Sequence, residues 1–205
     1  SSDKSYVAII DYKTGKDKES LDNLIYGENL QLPVYIYLLK NDSEFKHANL
    51  VGFYLQKINI VLPKKGDGSL EEQIQKNLRL EGYTHPDYVD YIDDNRGEYL
   101  KNYKENKDTS VSKSSKIFND KDVEDLFELV SKKVDEAYNG IMNANFDITA
   151  KRIDGVNISC EYCPFVDCCY KTDKDIVELK GKKWKEEDEN ANEWHAVSCG
   201  IWWFW

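Results

Sequence analysis

The stretch YVAIIDYKTG, residues 6–15, decides how the rest of the chain is read. Tyr6 to Ile10 are all apolar, and the run closes on Asp11-Tyr12-Lys13 before Thr14-Gly15. β-Branched and aromatic residues suit a pleated strand and glycine marks a turn, so residues 6–12 are expected to form a buried strand. Side chains two apart on a strand point to one side of the sheet. Asp11 and Lys13 are therefore neighbours at a strand end, a carboxylate beside an ammonium. Phosphodiester hydrolysis uses that pairing. Carboxylate oxygens hold a hard cation that lowers the pKa of a bound water, and the ammonium balances charge on the phosphate. An Asp-x-Lys tripeptide by itself also occurs as a surface pair, but charged groups ending a buried strand point to function.

Working outward, residues 14–27 are polar with two glycines and read as a loop. Asn29 to Lys40 (NLQLPVYIYLLK) places Leu32, Tyr35, Ile36 and Leu39 at helical spacing, with Pro33 near the start where a missing N–H matters least. Gln31 and Tyr35, four apart, share a face of that helix. Asn49 to Leu62 has strand composition and stops at Pro63, so the first 63 residues read strand, helix, strand: an α/β core. Residues 64–118 form a charged insertion in which Leu70 to Leu80 makes a short helix, Lys104 to Lys116 (KENKDTSVSKSSK) makes a flexible loop, and little chemistry is expected. Asn119 then opens a long helix. Asn119 and Asp122 match a capping box, and Val123, Leu126, Phe127, Val130, Val134, Ala137, Tyr138 and Ile141 form one apolar stripe. The third segment, 119–170, ends in a short extended piece from Phe146 to Lys151 and a cysteine cluster. Residues 171–205 read as a charged tail whose aromatic end, WHAVSCGIWWFW from Trp194, is expected to be non-native sequence or disordered, with a docking peptide as the alternative.

Composition narrows the partners. The 205 residues carry 38 acids against 28 bases, a formal charge of −10, which argues against a generic basic nucleic-acid coat and makes any phosphate binding local. Hydrophobic residues at 40% and aromatics at 13% suffice for a core. With no run of 18 uninterrupted apolar residues and no signal-peptide layout, no membrane and a cytoplasmic location are expected.

Four of five cysteines crowd into ISCEYCPFVDCCY, residues 158–170. Cys160, Cys163 and Cys169 have the spacing Cys-x2-Cys-x5-Cys, with Pro164 after the second. Thiolates so placed can reach one soft metal centre, and both zinc and iron–sulfur clusters accept them. Zinc would need a fourth ligand, from Cys168 or from His195 and Cys199.

IIDYKTG followed by GENLQLPVYIYLL (Gly27 to Leu39) resembles the RecB-type branch of the PD-(D/E)XK nuclease superfamily, where a strand ends in Asp-Tyr-Lys and the next helix carries Gln-x-x-x-Tyr. The resemblance implies a restriction-endonuclease-like core with a helical C-terminal part. It implies that Asp11 and the Tyr12 backbone carbonyl bind a catalytic Mg²⁺ or Mn²⁺, that Lys13 acts on the attacking water, and that Gln31 and Tyr35 help place the DNA backbone. The cysteine pattern after a long helix is similar to that of AddB-type chains of helicase-nucleases. That implies a 4Fe–4S staple held by Cys160, Cys163 and Cys169, a heterodimer with an AddA-type chain, and DNA as substrate in break repair and recombination. The family's second metal carboxylate and fourth cluster cysteine would precede residue 1. The chain is thus expected to be the C-terminal part of a longer protein, truncated on the N-terminal side of its core, poorly active alone and weak in holding a cluster. A rival expectation from another class is a non-catalytic DNA- or partner-binding module stapled by a structural metal.

Overall fold

A computed structural model describes residues 4–15, 20–58, 69–146, 150–160 and 163–185. The chain divides into two units, one of Ser1–Ser20 with Asn29–Val130 and one of Leu21–Glu28 with Ser131–Trp205.

The first unit is built on three strands: β1 (Tyr6–Lys13), β2 (Asn49–Lys57) and β3 (Glu81–Thr84), in the order β1-β2-β3. β1 runs parallel to β2, and the connection includes helix α1 (Gln31–Asn41); β3 is antiparallel to β2. β2 is the central strand and is buried from Leu50 to Leu55, as its near-continuous apolar run requires. A register shift between Val7 and Ala8 leaves Val51 as the extra residue on β2.

β1 is not the fully buried strand its composition predicts. Ile10 and Tyr12 are exposed, at 39% and 63%, while Asp11 and Lys13 on the other face are half-buried. Among the described residues β1 has a strand neighbour on one edge only, and the face that carries Ile10 and Tyr12 is open to solvent. β2 ends at Lys57 rather than running to Leu62, and 59–68 fall outside the described residues.

The core on one side of this sheet joins Tyr54, Leu80, Val89, Leu100 and Tyr103. Tyr54 is hydrogen-bonded to Thr84 across 3.0 Å, and burial raises its phenol pKa. On the other side Phe53 stacks on Tyr83 and meets Phe118, and Tyr37 of α1 stacks on Phe127. Gly82 allows the close approach of β3 to β2. A methyl group there would overlap the Phe53 carbonyl oxygen and lie 2.8 Å from Tyr54 Cα.

The charged middle is more ordered than its composition predicts. Helix α2 (Leu70–Asn77) has a Ser69–Glu72 capping box. Lys104 to Lys116, expected as a flexible loop, is folded through backbone bonds from Asn106 to Ser110 and from Ser112 to Lys104 and a bridge between Glu105 and Val111. Backbone pairing satisfies groups that side-chain polarity does not report. Asp93, buried, accepts the amides of Gly97, Tyr99 and Leu100 and fixes the turn that follows it.

Helix α3 (Asp120–Met142) continues from the first unit into the second. Its capping box is as expected: Asn119 Oδ1 accepts the Asp122 amide at 3.0 Å, and Asp122 Oδ2 accepts the Asn119 amide at 2.8 Å. Val123, Leu126 and Val130 are buried, but Val134, Tyr138 and Ile141 of the same stripe are exposed.

The second unit holds a three-stranded sheet: β4 (Ala150–Ile153), β5 (Val156–Asn157) and β6 (Ile176–Leu179), in the order β5-β4-β6. Here the expected charged tail is corrected, because 176–179 form a strand parallel to β4. Ile176 and Leu179 are half-buried in an otherwise charged segment, and Arg152 of β4 pairs with Glu178 across the strands. Beyond β6 the chain returns onto Leu21–Glu28. Asn23 exchanges backbone and side-chain hydrogen bonds with Lys182, Tyr26 donates to the Lys180 carbonyl, and Asp22 accepts the Trp184 amide. The aromatic end, 194–205, lies outside the described residues.

Candidate active site

Strand β1 and helix α1 bring four predicted residues together. β1 alternation turns Asp11 and Lys13 to one face, with Lys13 Nζ 3.1 Å from Asp11 Oδ2. Gln31, the first residue of α1, reaches both: its Oε1 accepts from Lys13 Nζ at 2.5 Å, and its Nε2 donates to Asp11 Oδ1 at 3.4 Å. One turn later the Tyr35 hydroxyl accepts from the same Nε2 at 3.1 Å. The ammonium fixes the amide orientation, because a flipped Gln31 would set an NH₂ donor against a donor. Tyr35 belongs with Gln31 rather than with the buried stripe of α1, which is Leu32, Pro33 and Ile36.

The electrostatics of the carboxylate are unusual. Asp11 Oδ2 is buried and has no hydrogen bond, although Lys13 Nζ is 3.1 Å away. Distance makes an ion pair, while the angle denies a directional bond. A divalent cation would use this oxygen, and the hard carboxylate suits Mg²⁺ or Mn²⁺. Tyr12 follows Asp11 directly, with its ring exposed.

A neighbouring charged group carries no local sequence signal. Across the sheet, Asp11, Leu55 and Glu81 are aligned in register, as are Lys13 and Lys57. Glu81 is buried, with Lys101 at 2.6 Å and Lys57 at 3.7 Å. Period-two alternation assigns Lys57 to the Leu55 face, but only pairing reveals that Glu81 shares it.

The cysteines follow a different pattern. Cys160, Cys163 and Cys169 are half-buried, Cys168 is exposed, and all four are free thiols. Asn157 Oδ1 accepts the amides of Ser159 and Cys160, and successive turns run from Cys160 to Cys163, Cys163 to Val166 and Phe165 to Cys168. Among the described residues no three His, Cys, Asp or Glu side chains gather as a metal-binding group. As arranged, these thiols do not fit a 4Fe–4S cluster, although their chemistry suits one. The zinc alternative through His195 and Cys199 lies outside the described residues. No helix among those residues is long and apolar enough to cross a membrane.

A mixed sheet that presents an Asp-Tyr-Lys strand end to a Gln-x-x-x-Tyr helix defines a nuclease-type core, and residues 1–170 match the PD-(D/E)XK nuclease superfamily, to which this chain belongs. Among curated relatives, the ATP-dependent helicase/deoxyribonuclease B subunit of Carboxydothermus hydrogenoformans is 30% identical over 183 residues, which is 81% of this chain and 16% of that protein. The proteins of the same name from Alkaliphilus oremlandii and Thermoanaerobacter sp. are 28% and 29% identical, over 93% and 82% of this chain. The chain spans less than a fifth of the length of these relatives, 15–18%.

Proposed function

We propose that this chain supplies the nuclease site of a helicase-nuclease that hydrolyses DNA phosphodiester bonds in double-strand break repair and recombination. Mg²⁺ or Mn²⁺ would be its catalytic ion and an AddA-type chain its heterodimer partner. The observation that carries the reading is the hydrogen-bonded quartet of Asp11, Lys13, Gln31 and Tyr35. Asp11 Oδ2 and the Tyr12 carbonyl would hold the ion. When bound, such an ion lowers the pKa of a water and offsets charge on the phosphoryl oxygens. Lys13 presents an ammonium to the attacking water and the scissile phosphate, a role that stabilises charge developing during in-line displacement. Gln31 holds Lys13 and Asp11 at once, so both arrive pre-aligned. Tyr35 bonds the Gln31 amide and is 37% exposed, where its hydroxyl can meet the DNA backbone.

The cysteines enter the proposal as a structural metal site of the full-length protein, in which further ligands would gather them. Anaerobic reconstitution tests that site, since an iron–sulfur cluster is coloured and zinc is not. For catalysis, cleavage of DNA is measured with Mg²⁺ in the full-length protein. Asp11→Asn and Lys13→Ala are each expected to abolish it. Activity unchanged in both would sink the assignment and favour a non-catalytic binding module.

A further inference from the structure

The reverse face of the first unit's sheet carries a cleft that the nuclease chemistry does not use. Alternation along β2 turns Gln56 away from Leu55 and Lys57, the register partners of Asp11 and Lys13, so Gln56 stands on the face opposite the candidate site. There it joins α2 and the turn at Gly97 to Tyr99 around a cavity of about 540 Å³. Small-molecule sites span about 300–1,000 Å³, and this volume falls among them. The whole lining belongs to the first unit.

Arg79 and Lys76 supply the positive charge of the cleft. Arg79 Nη2 donates to the carbonyls of Gly97 and Leu100, which fixes the guanidinium, while Nε is buried and has no hydrogen bond. A clamp on two carbonyls needs only Nη2 and leaves the rest of the group unspent. Among the described residues neither Arg79 nor Lys76 forms an ion pair, although buried charge is normally matched by a partner. The two acids that share the cavity are engaged elsewhere: Glu72 closes the α2 cap with Ser69, and Glu98 Oε2 accepts from Asn95. The remaining lining suits a flat ring with a polar edge. Gln56 Nε2 donates to the Leu78 carbonyl, which leaves its Oε1 as an acceptor, and Gln75 adds an exposed amide. Leu78 and Tyr99, 42% and 53% exposed, give the cleft an apolar and an aromatic wall.

We infer that this cleft binds a free nucleoside monophosphate, with its phosphate on Arg79 and Lys76 and its base against Tyr99. A nucleobase offers a face to stack and an edge that carries both donors and acceptors. Gln56, Gln75 and the second oxygen of Glu98 complement that edge. Inorganic phosphate would engage the cations and leave the amides and Tyr99 idle. The site is separate from the nuclease reading, since binding on this face needs neither Asp11 nor a divalent ion. Deoxynucleotides released by DNA cleavage and ribonucleotides share the required chemistry.

The test is isothermal titration calorimetry of the full-length protein, without divalent cation, against the four deoxynucleoside monophosphates, their ribose counterparts and inorganic phosphate. At least one nucleotide is expected to bind with a Kd below about 1 mM and more tightly than inorganic phosphate. Tyr99→Ala removes one stacked ring and should weaken the nucleotide about tenfold while leaving inorganic phosphate unchanged. Lys76→Gln should weaken both, by about two- to fivefold for an exposed charge. Circular dichroism checks folding. Arg79→Gln also releases the Gly97 and Leu100 carbonyls, so the exposed Lys76 and Tyr99 carry the test where that variant fails to fold. Tighter binding of the deoxy forms names cleavage products as the source, tighter binding of the ribose forms names ribonucleotides, and either order supports the site. The inference is overturned if no nucleotide binds, or if binding survives Lys76→Gln and Tyr99→Ala unchanged. Loss in Lys13→Ala alone also overturns it, because the nucleotide then sits at the strand end.

Discussion

Gly82→Ala tests the strand register that sets Glu81 on the sheet face of Asp11. Position 82 pairs with Tyr54 in the antiparallel β2–β3 ladder, and an added methyl would overlap the Phe53 carbonyl oxygen and lie 2.8 Å from Tyr54 Cα. Carbon atoms prefer about 3.5–4.0 Å. Both obstacles are backbone, so no side-chain rotation relieves them and β3 has to move off β2 by about an ångström. Overpacking of that kind costs about 1–3 kcal/mol. The ladder hydrogen bonds flanking the site, worth about 1 kcal/mol each, are weakened as well. Together they give about 2–4 kcal/mol, a large share of the roughly 5–15 kcal/mol that holds a domain folded. Urea unfolding followed by circular dichroism reads the loss directly. Heating should show a fall of about 5–15 °C in Tm, at about 2–4 °C per kcal/mol for a chain of this size. Gly155→Ala is the control: its φ is +78° but nothing lies within 4 Å of an added methyl, so it carries only left-handed strain of about 1–2 kcal/mol. A Gly82→Ala protein that unfolds within about 0.5 kcal/mol of wild type, a small surface-type effect, refutes the Tyr54–Gly82 pairing and the position given to Glu81.

Two further outcomes concern the site itself. Gln31→Ala removes the shared partner of Lys13, Asp11 and Tyr35. If Asp11 holds the proposed ion, loss of the group that orients it should lower cleavage by about 10–100-fold, while Tyr35→Phe keeps the Lys13–Gln31–Asp11 bonds and is milder; equal loss in both variants would contradict this order. For Glu81, burial pushes the carboxyl up, but the Lys101 hydrogen bond and the charges of Lys101, Lys57 and Lys116 outweigh it, so the folded pKa lies below the ordinary 4.5. Its contribution to stability is therefore complete above 4.5 and is lost as pH falls through the folded value. Urea midpoints measured down from that pH should decline more steeply for wild type than for Glu81→Gln, and parallel curves would show that the three lysines do not hold the carboxylate.

How much of the fold and the site is legible in the sequence depends on the range of the interaction. The α1 periodicity, the capping box of Asn119 and Asp122 and the Asp11–Lys13 alternation are local, and local rules recover them. The convergence of Gln31 on Asp11 is open to helix and strand phase only together with a resemblance, since β1 and α1 are separated by a polar loop. Burial of β1 is overstated by its composition because an apolar run reports a preference for packing, not whether a second layer covers it. Glu81 and Lys101 lie in a stretch that composition marks as featureless. Their meeting is fixed by the pairing of β2 with β3 and of Leu80 with Leu100, contacts between segments 20 or more residues apart. β6 escapes a local reading for the same reason, since its four residues acquire strand character by lying beside β4.

The return of residues 180–184 onto Asp22, Asn23 and Tyr26 bears on the entropy of the connection between β1 and α1. Lys13 and Gln31 are joined by a connection whose closure, if it were free chain, would cost about 2.5 kcal/mol on the scale of (3/2)RT ln n. Leu21–Glu28, which lies inside that connection, is instead held by hydrogen bonds within the second unit. Part of the ordering of that connection is thus supplied more than 150 residues further along the chain. Amides of Asn23 and Lys182 should accordingly exchange with solvent as one cooperative unit, and loosening that unit returns Leu21–Glu28 to the entropy of open chain.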